Sequence, residues 1–160
     1  MVRDIKETVL LVDDNPKNIK LLNLMLCDEY NILIATNGAK ALELATQQPD
    51  LILLDIKMPG MDGYEVCKRL KSAPAISGIP VIFVTALHEP VDEIKGLSLG
   101  AVDYFTKPMN VAITLARIKN HLELKQTRDE LQELNRNLKQ LVRNEVMHKL
   151  PQAPSAFKGY

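Results

Sequence analysis

The sequence lacks the features that mark several large classes of protein. Its 20 basic and 20 acidic side chains balance, so no excess charge would attract it to nucleic acid or to a membrane. No apolar run approaches the roughly 18 residues of a membrane-spanning helix, and the N-terminal residues show no signal-peptide pattern. Cys27 and Cys67 lack metal-site spacing, so we predict reduced, largely buried thiols. We therefore expect a globular cytoplasmic protein that binds neither nucleic acid directly nor membranes.

What the sequence does contain is a series of short, continuously apolar runs, most of which lead into a polar side chain. Runs of this length and composition indicate strands that are buried on both faces, as in a parallel sheet. A further run, at about Ile32 to Ala35, precedes a turn. The runs and the polar residues that follow them are Val9 to Val12 with Asp13 and Asp14, Leu51 to Leu54 with Asp55, Val81 to Val84 with Thr85, and Val102 to Phe105 with Lys107.

Stretches of helical periodicity alternate with these runs, which indicates repeated β–α units. Asn15 and Pro16 supply a helix cap and a first helical residue, and Gly100 is a natural helix stop. Because crossovers are right-handed, we predict an α/β, flavodoxin-like, doubly wound five-stranded parallel sheet of order 2-1-3-4-5. Strands one and three flank the switch point of that sheet, so Asp13, Asp14 and Asp55 should meet in one crevice.

The C-terminal part of the chain is predicted to be one extended helix. From about Met109 no proline or glycine interrupts it until Pro151. Leucine recurs at coiled-coil spacing, which predicts a seam over residues 123–150 that joins two chains as a homodimer. An alternative is a long amphipathic helix that folds back on its own domain. We expect a folded domain over residues 1–122 and a disordered tail over 151–160; the seam leucines are Leu124, Leu131, Leu134, Leu138 and Leu141.

Three carboxylates in one crevice require a cation, because without one their mutual repulsion makes it energetically unfavourable for all of them to stay ionised. The presumed ligands are all oxygens, and this favours a hard ion, with Mg²⁺ the best fit. The ammonium group of Lys107 on the other side would complete a receptor for a phosphoryl group. Asp55 can then act as a nucleophile that forms an acyl phosphate.

Four motifs lie at predicted strand ends: Leu11-Val12-Asp13-Asp14-Asn15, Leu53-Leu54-Asp55-Ile56-Lys57-Met58-Pro59-Gly60-Met61-Asp62-Gly63, Val84-Thr85-Ala86, and Tyr104-Phe105-Thr106-Lys107-Pro108. Through these motifs, residues from about 8 to 122 resemble the receiver domain of two-component response regulators. The resemblance implies a phosphoacceptor signalling domain rather than an enzyme, with self-phosphorylation from acyl phosphates and autodephosphorylation as its only reactions.

The resemblance implies a role for each residue of these motifs. Asp55 would accept a phosphoryl group from a sensor histidine kinase or a phosphotransfer protein. Asp14, Asp55 and the backbone carbonyl of Lys57 would hold Mg²⁺, and Asp13 would act through water. The remaining implied roles are contact with the phosphoryl group for Lys107 and Thr85, a rotamer switch for Tyr104, and a preceding cis peptide bond for Pro108.

Other readings of the same residues remain open. A hydrolase of the haloacid dehalogenase type needs an acid two residues after its nucleophile, where this chain has Lys57. A flavodoxin-type carrier needs a phosphate loop that Asp13 and Asp14 would repel. A phosphorylation-independent scaffold usually lacks an essential group, and none is missing here. The stretch from Ala116 to Val142 resembles connectors to cyclic-di-GMP output domains, so the chain could be the N-terminal part of such an enzyme. We interpret His88, His121 and His148 as surface residues and Met58 and Met61 as loop packing.

Overall fold

The computed structural model describes residues 5–151 and contains one five-stranded parallel sheet. Its strand order is β2-β1-β3-β4-β5, which confirms the predicted topology. The fifth strand begins one residue later than predicted, after the half-exposed Val102. The strands are β1 (Thr8–Val12), β2 (Asn31–Ala35), β3 (Leu51–Leu54), β4 (Val81–Thr85) and β5 (Asp103–Thr106).

Five helices connect or follow the strands, and polar side chains cap most of them. The Asn15 side chain accepts a hydrogen bond from the Lys17 amide at 2.9 Å, which confirms the predicted cap of the first helix. The fifth helix begins at Val111 rather than at Met109, because Asn110 caps it by accepting from the Ile113 amide at 3.0 Å. The helices are α1 (Pro16–Leu26), α2 (Gly38–Ala45), α3 (Gly63–Ser72), α4 (Pro90–Ser98) and α5 (Val111–Lys149).

The three central strands β1, β3 and β4 are buried on both faces, which explains why they are continuously apolar. The edge strand β2 differs from the prediction, because Ile34 is 42% exposed and only Ala35 is fully buried. On one face Leu54 and Phe83 pack with Val66 of α3; on the other Leu11 and Leu53 pack with Ile118 of α5. The prediction of two largely buried thiols is half right. Cys67 lies in the first cluster, whereas Cys27 is exposed because it follows the last buried residue of α1 at the end of the helix.

The chain divides into two units, the first ending at Lys125 and the second beginning at Gln126. In the second unit the residues up to Lys149 are helical, and every described side chain is exposed. The extended C-terminal helix is thus confirmed, whereas the domain boundary at residue 122 and the coiled-coil seam stay predictions. Apart from Pro151, the predicted tail lies outside the described residues. Within residues 5–151, no helix is both long and apolar enough to cross a bilayer.

Candidate functional site

The site lies at the carboxyl ends of β1 and β3, which are neighbours in the sheet. Val12 pairs with Leu54 in the parallel register, so the residues that follow these two strands emerge side by side. The Asp55 amide donates to the Val12 carbonyl at 2.9 Å, and the Asp13 amide donates to the Ala35 carbonyl at 3.2 Å. These backbone bonds bring the two aspartates to the predicted crevice.

Three carboxylates meet in this crevice. One oxygen each of Asp13, Asp14 and Asp55 lie within 4.8 Å of one another. Asp13 and Asp55 are buried, whereas Asp14 is exposed. Burial raises the pKa of Asp55, and the neighbouring Asp13 carboxylate raises it further. The cluster therefore favours binding of a cation, and its all-oxygen donor set suits a hard ion such as Mg²⁺.

Lys107 reaches the same crevice from the loop after β5. Its Nζ atom lies 2.8 Å from an Asp13 oxygen and 3.5 Å from an Asp55 oxygen. The Lys107 amide donates to the Thr85 carbonyl at 2.8 Å, which holds this loop against the end of β4. The Lys107–Pro108 peptide is cis, as predicted. The structure thus brings together Asp13, Asp14, Asp55 and Lys107 from three strand ends.

Thr85 and Tyr104 lie beside this group. Thr85 is buried, and a hydrogen bond from its hydroxyl group opposes the rise in the pKa of Asp55. Its oxygen also accepts from the Leu87 amide at 3.3 Å. Tyr104 is only 5% exposed, and its hydroxyl group donates to the Leu87 carbonyl at 2.8 Å. Tyr104 therefore lies in an inward position, and burial raises its pKa to about 12.

The loop between β3 and α3 packs closely against Asp55. The Gly63 amide donates to the Ile56 carbonyl at 2.8 Å, and a Cβ atom at Gly63 would collide with the Asp55 carbonyl oxygen. Only glycine allows this approach. Met58 is buried and Met61 packs against the same core, which confirms the predicted loop packing. Lys57 is exposed, and the metal contact of its carbonyl stays a prediction.

Sequence reasoning missed two polar contacts. His121, interpreted as a surface residue, is only 21% exposed, and its Nε2 atom lies 3.0 Å from an Asp103 oxygen. Tyr64, which no motif singled out, donates to the Asp92 carbonyl of α4 at 3.2 Å. Neither contact has a signal in the sequence, because each depends on how a helix packs against a distant segment.

Comparison with known proteins assigns this architecture to a family. A sequence model described as “Response regulator receiver domain” matches residues 9–119. A Vibrio cholerae protein named “Probable cyclic di-GMP phosphodiesterase” is 46% identical over 131 residues, which are 81% of this chain and 29% of that protein. Response regulator PleD from Caulobacter vibrioides is 42% identical over 127 residues, which are 78% of this chain and 28% of PleD.

The solved structures agree with the sequence match. The signal receiver domain of a signal transduction histidine kinase from Syntrophus aciditrophicus aligns with a TM-score of 0.68 and 35% identity. The alignment covers 73% of this chain and 90% of that domain. The chain spans less than a third of the length of the two relatives above. With its fold, its acidic crevice and these matches, the chain belongs to the response regulator receiver domain family.

Proposed function

We propose that Asp55 accepts a phosphoryl group from the phosphohistidine of a sensor histidine kinase or phosphotransfer protein. An Asp55 oxygen attacks phosphorus, the bond from phosphorus to the donor nitrogen breaks, and the imidazole leaves with the electron pair. The supporting observation is the convergence of Asp13, Asp14 and Asp55 within 4.8 Å, with Lys107 at 3.5 Å from the presumed nucleophile. Asp55 is only 8% exposed, which limits the access of bulk water to its carboxylate.

The residues present suit Mg²⁺, which would be held by Asp14, Asp55 and the carbonyl of Lys57, with Asp13 acting through water. When bound, the ion would offset the negative charge of the incoming phosphoryl oxygens. Mg²⁺ accepts few protein ligands and keeps several waters, so an open site with one exposed carboxylate is appropriate.

Lys107 and Thr85 then act on the phosphoryl oxygens. The Lys107 ammonium group bridges Asp13 and Asp55 in this structure and can turn toward a new anion between them. The Thr85 hydroxyl group, already beside Asp55, can donate to a phosphoryl oxygen. Transfer to Asp55 and later hydrolysis are the only reactions we propose for this chain, and we propose the cytoplasm as its location.

The phosphorylated state would be transmitted through α4, β5 and α5, with Tyr104 as the switch residue. We propose that residues 123–150 pair with a second copy of the chain. Five leucines at coiled-coil spacing support this, since each is 58–71% exposed on a helix with no described buried residue after Leu122. The five are Leu124, Leu131, Leu134, Leu138 and Leu141.

The other readings are not favoured. A phosphorylation-independent scaffold would not need every group of the crevice, yet all of them converge. The cyclic-di-GMP reading concerns an output domain, and the chain spans only 29% of the Vibrio cholerae protein whose name mentions cyclic di-GMP. The receiver assignment stands without either of them.

The test is incubation of the chain with Mg²⁺ and a small acyl phosphate, followed by intact mass measurement. We expect one added phosphoryl group in the wild type and in Asp28→Ala, a control in which an exposed aspartate is removed. Asp55→Ala should remain unlabelled, and chelation of Mg²⁺ should suppress labelling of the wild type. A phosphoryl group that persists on Asp55→Ala would refute the proposed acceptor.

A further inference from the structure

Helix α4 is attached to the core by very little buried surface. Among the five helices of residues 5–151 it buries one residue, Gly96, whereas each of the others buries three or four. Val91 and Ile94 are 70% and 67% exposed, and Glu89 makes no side-chain cap. The position of the N-terminal half of α4 must therefore depend on a few specific contacts.

Two phenol groups supply such contacts. Tyr104 donates to the Leu87 carbonyl at 2.8 Å, just before α4 begins. Tyr64 donates to the Asp92 carbonyl in its first turn at 3.2 Å. The ammonium group of Lys95, also in α4, lies 4.3 Å from the centre of the Tyr64 ring, which is within cation–π range. Both phenols therefore hold the main chain of one short segment.

Tyr64 is also connected along the chain to the backbone of Asp55. It follows Gly63, which packs directly on the Asp55 carbonyl. Its ring makes an edge contact with Phe83, with centroids 5.6 Å apart, and Phe83 in turn contacts the Tyr104 ring at 6.2 Å. Two routes thus connect the crevice to α4, one through Thr85, Leu87 and Tyr104 and the other through Gly63 and Tyr64.

We propose that Tyr64 is a second positioning residue of the receiver switch. Its hydrogen bond holds the start of α4 in the arrangement that accompanies the inward position of Tyr104. This inference rests on the proposed function of Asp55. A hydrogen bond that forms in only one arrangement of α4 increases the population of that arrangement. The same bond therefore increases the affinity for any ligand that binds preferentially to the protein in that arrangement. Loss of the Tyr64 hydroxyl group should therefore weaken binding of a phosphoryl analogue at Asp55, although Tyr64 does not touch the analogue.

The experiment compares the full wild-type chain with Tyr64→Phe by calorimetric titration with fluoroberyllate in saturating Mg²⁺. One neutral hydrogen bond is worth about a 3- to 10-fold change in an equilibrium, so we expect fluoroberyllate to bind Tyr64→Phe more weakly by about this factor. Affinity for Mg²⁺ alone should not change. Amide exchange of α4 in the fluoroberyllate complex should become faster by a similar factor.

Tyr30→Phe is the matched control, because Tyr30 is a buried phenol in the cluster on the opposite face of the sheet. It should bind fluoroberyllate like the wild type. In a Tyr104→Phe background, removal of the Tyr64 hydroxyl group should have a smaller effect, since the segment from Leu87 to the start of α4 has then already lost one of its two phenol hydrogen bonds. If Tyr64 had a purely structural role, the two substitutions would lower the free energy of unfolding additively, and the effect of Tyr64→Phe would be the same in both backgrounds.

Several outcomes would overturn the inference. One is a Tyr64→Phe variant with wild-type fluoroberyllate affinity and wild-type exchange in α4; another is an equal loss of Mg²⁺ affinity. If Tyr64→Phe does not fold, Lys95→Gln decides, because it removes only the cation above the ring; about a twofold loss of affinity supports the proposal, and no loss rejects it. Failure of the wild type to bind fluoroberyllate would instead refute the proposed function of Asp55, and this inference with it.

Discussion

Replacement of Asp55 by asparagine should stabilise the protein when no metal is available. Asp55 and Asp13 have carboxylate oxygens within 4.8 Å, and at an effective dielectric constant of about 20 their repulsion is roughly 3.5 kcal/mol at that limit and larger at shorter separations. The attraction of Lys107 at 3.5 Å is of similar size, about 5 kcal/mol on the same scale, and repulsion from the exposed Asp14 adds about 1 kcal/mol in a water-like dielectric. These terms nearly cancel.

The cost of burying the Asp55 charge then decides the sign. Burial is the largest cause of the raised pKa of Asp55, and asparagine avoids that cost while keeping an oxygen that can accept from the Ile56 amide. We expect Asp55→Asn to raise the free energy of unfolding by about 1–2 kcal/mol in chelator at pH 7, which is a rise of roughly 4–8 °C in Tm.

Two further measurements make the prediction strict. The pKa of Asp55 is higher in the folded than in the unfolded protein. Its contribution to the free energy of unfolding is therefore fully present below the unfolded pKa of 3.8 and is lost as the pH rises through the folded pKa. The advantage of Asp55→Asn should therefore disappear below about pH 4. Saturating Mg²⁺ should stabilise the wild type, and it should therefore reduce or reverse the difference in the free energy of unfolding between Asp55→Asn and the wild type. Urea denaturation in chelator that shows Asp55→Asn to be less stable than wild type at pH 7 would refute the electrostatic account of the crevice.

Three other predictions follow from the same contacts. Gly63→Ala should destabilise the chain by about 2 kcal/mol or more, because the new Cβ would collide with the Asp55 carbonyl oxygen, and wild-type stability in urea would contradict the close approach. In an alkaline titration followed by tyrosinate absorbance, Tyr104→Phe should lose a component near pH 12; the neutral phenol contributes stability below pH 10 that is lost as the pH rises through 12. A titration curve that keeps this component would show that another phenol produces it. Leu131→Lys with Leu138→Lys should abolish self-association in sedimentation and leave the Tm of the receiver nearly unchanged, since both leucines are about 60% exposed. The leucine seam would lose its proposed role if the wild type were already a monomer.

The strand order and the identity of the crevice residues could be predicted from the sequence, because both follow from local patterns. Continuous apolar runs such as Leu51 to Leu54 indicate strands buried on both faces, and right-handed crossovers then leave few topologies. Once the topology is known, residues at or directly after the carboxyl ends of β1, β3 and β4 must lie on the same side of the sheet. Asp13, Asp55 and Thr85 needed no further information.

Contacts that depend on how helices are seated could not be predicted in this way. The hydrogen bond from Tyr64 to α4, the pairing of His121 with Asp103 and the exposure of Cys27 all depend on the rotation and offset of a helix. A helical pattern specifies which stripe is buried but leaves open which distant atom a half-buried polar group meets. The sequence by itself determined the sheet and the chemistry at the carboxyl ends of its strands, since hydrophobic periodicity and strand ends are local properties of the chain. Only the tertiary structure decided how those strand ends are connected to α4, because packing brings together residues that no local pattern relates.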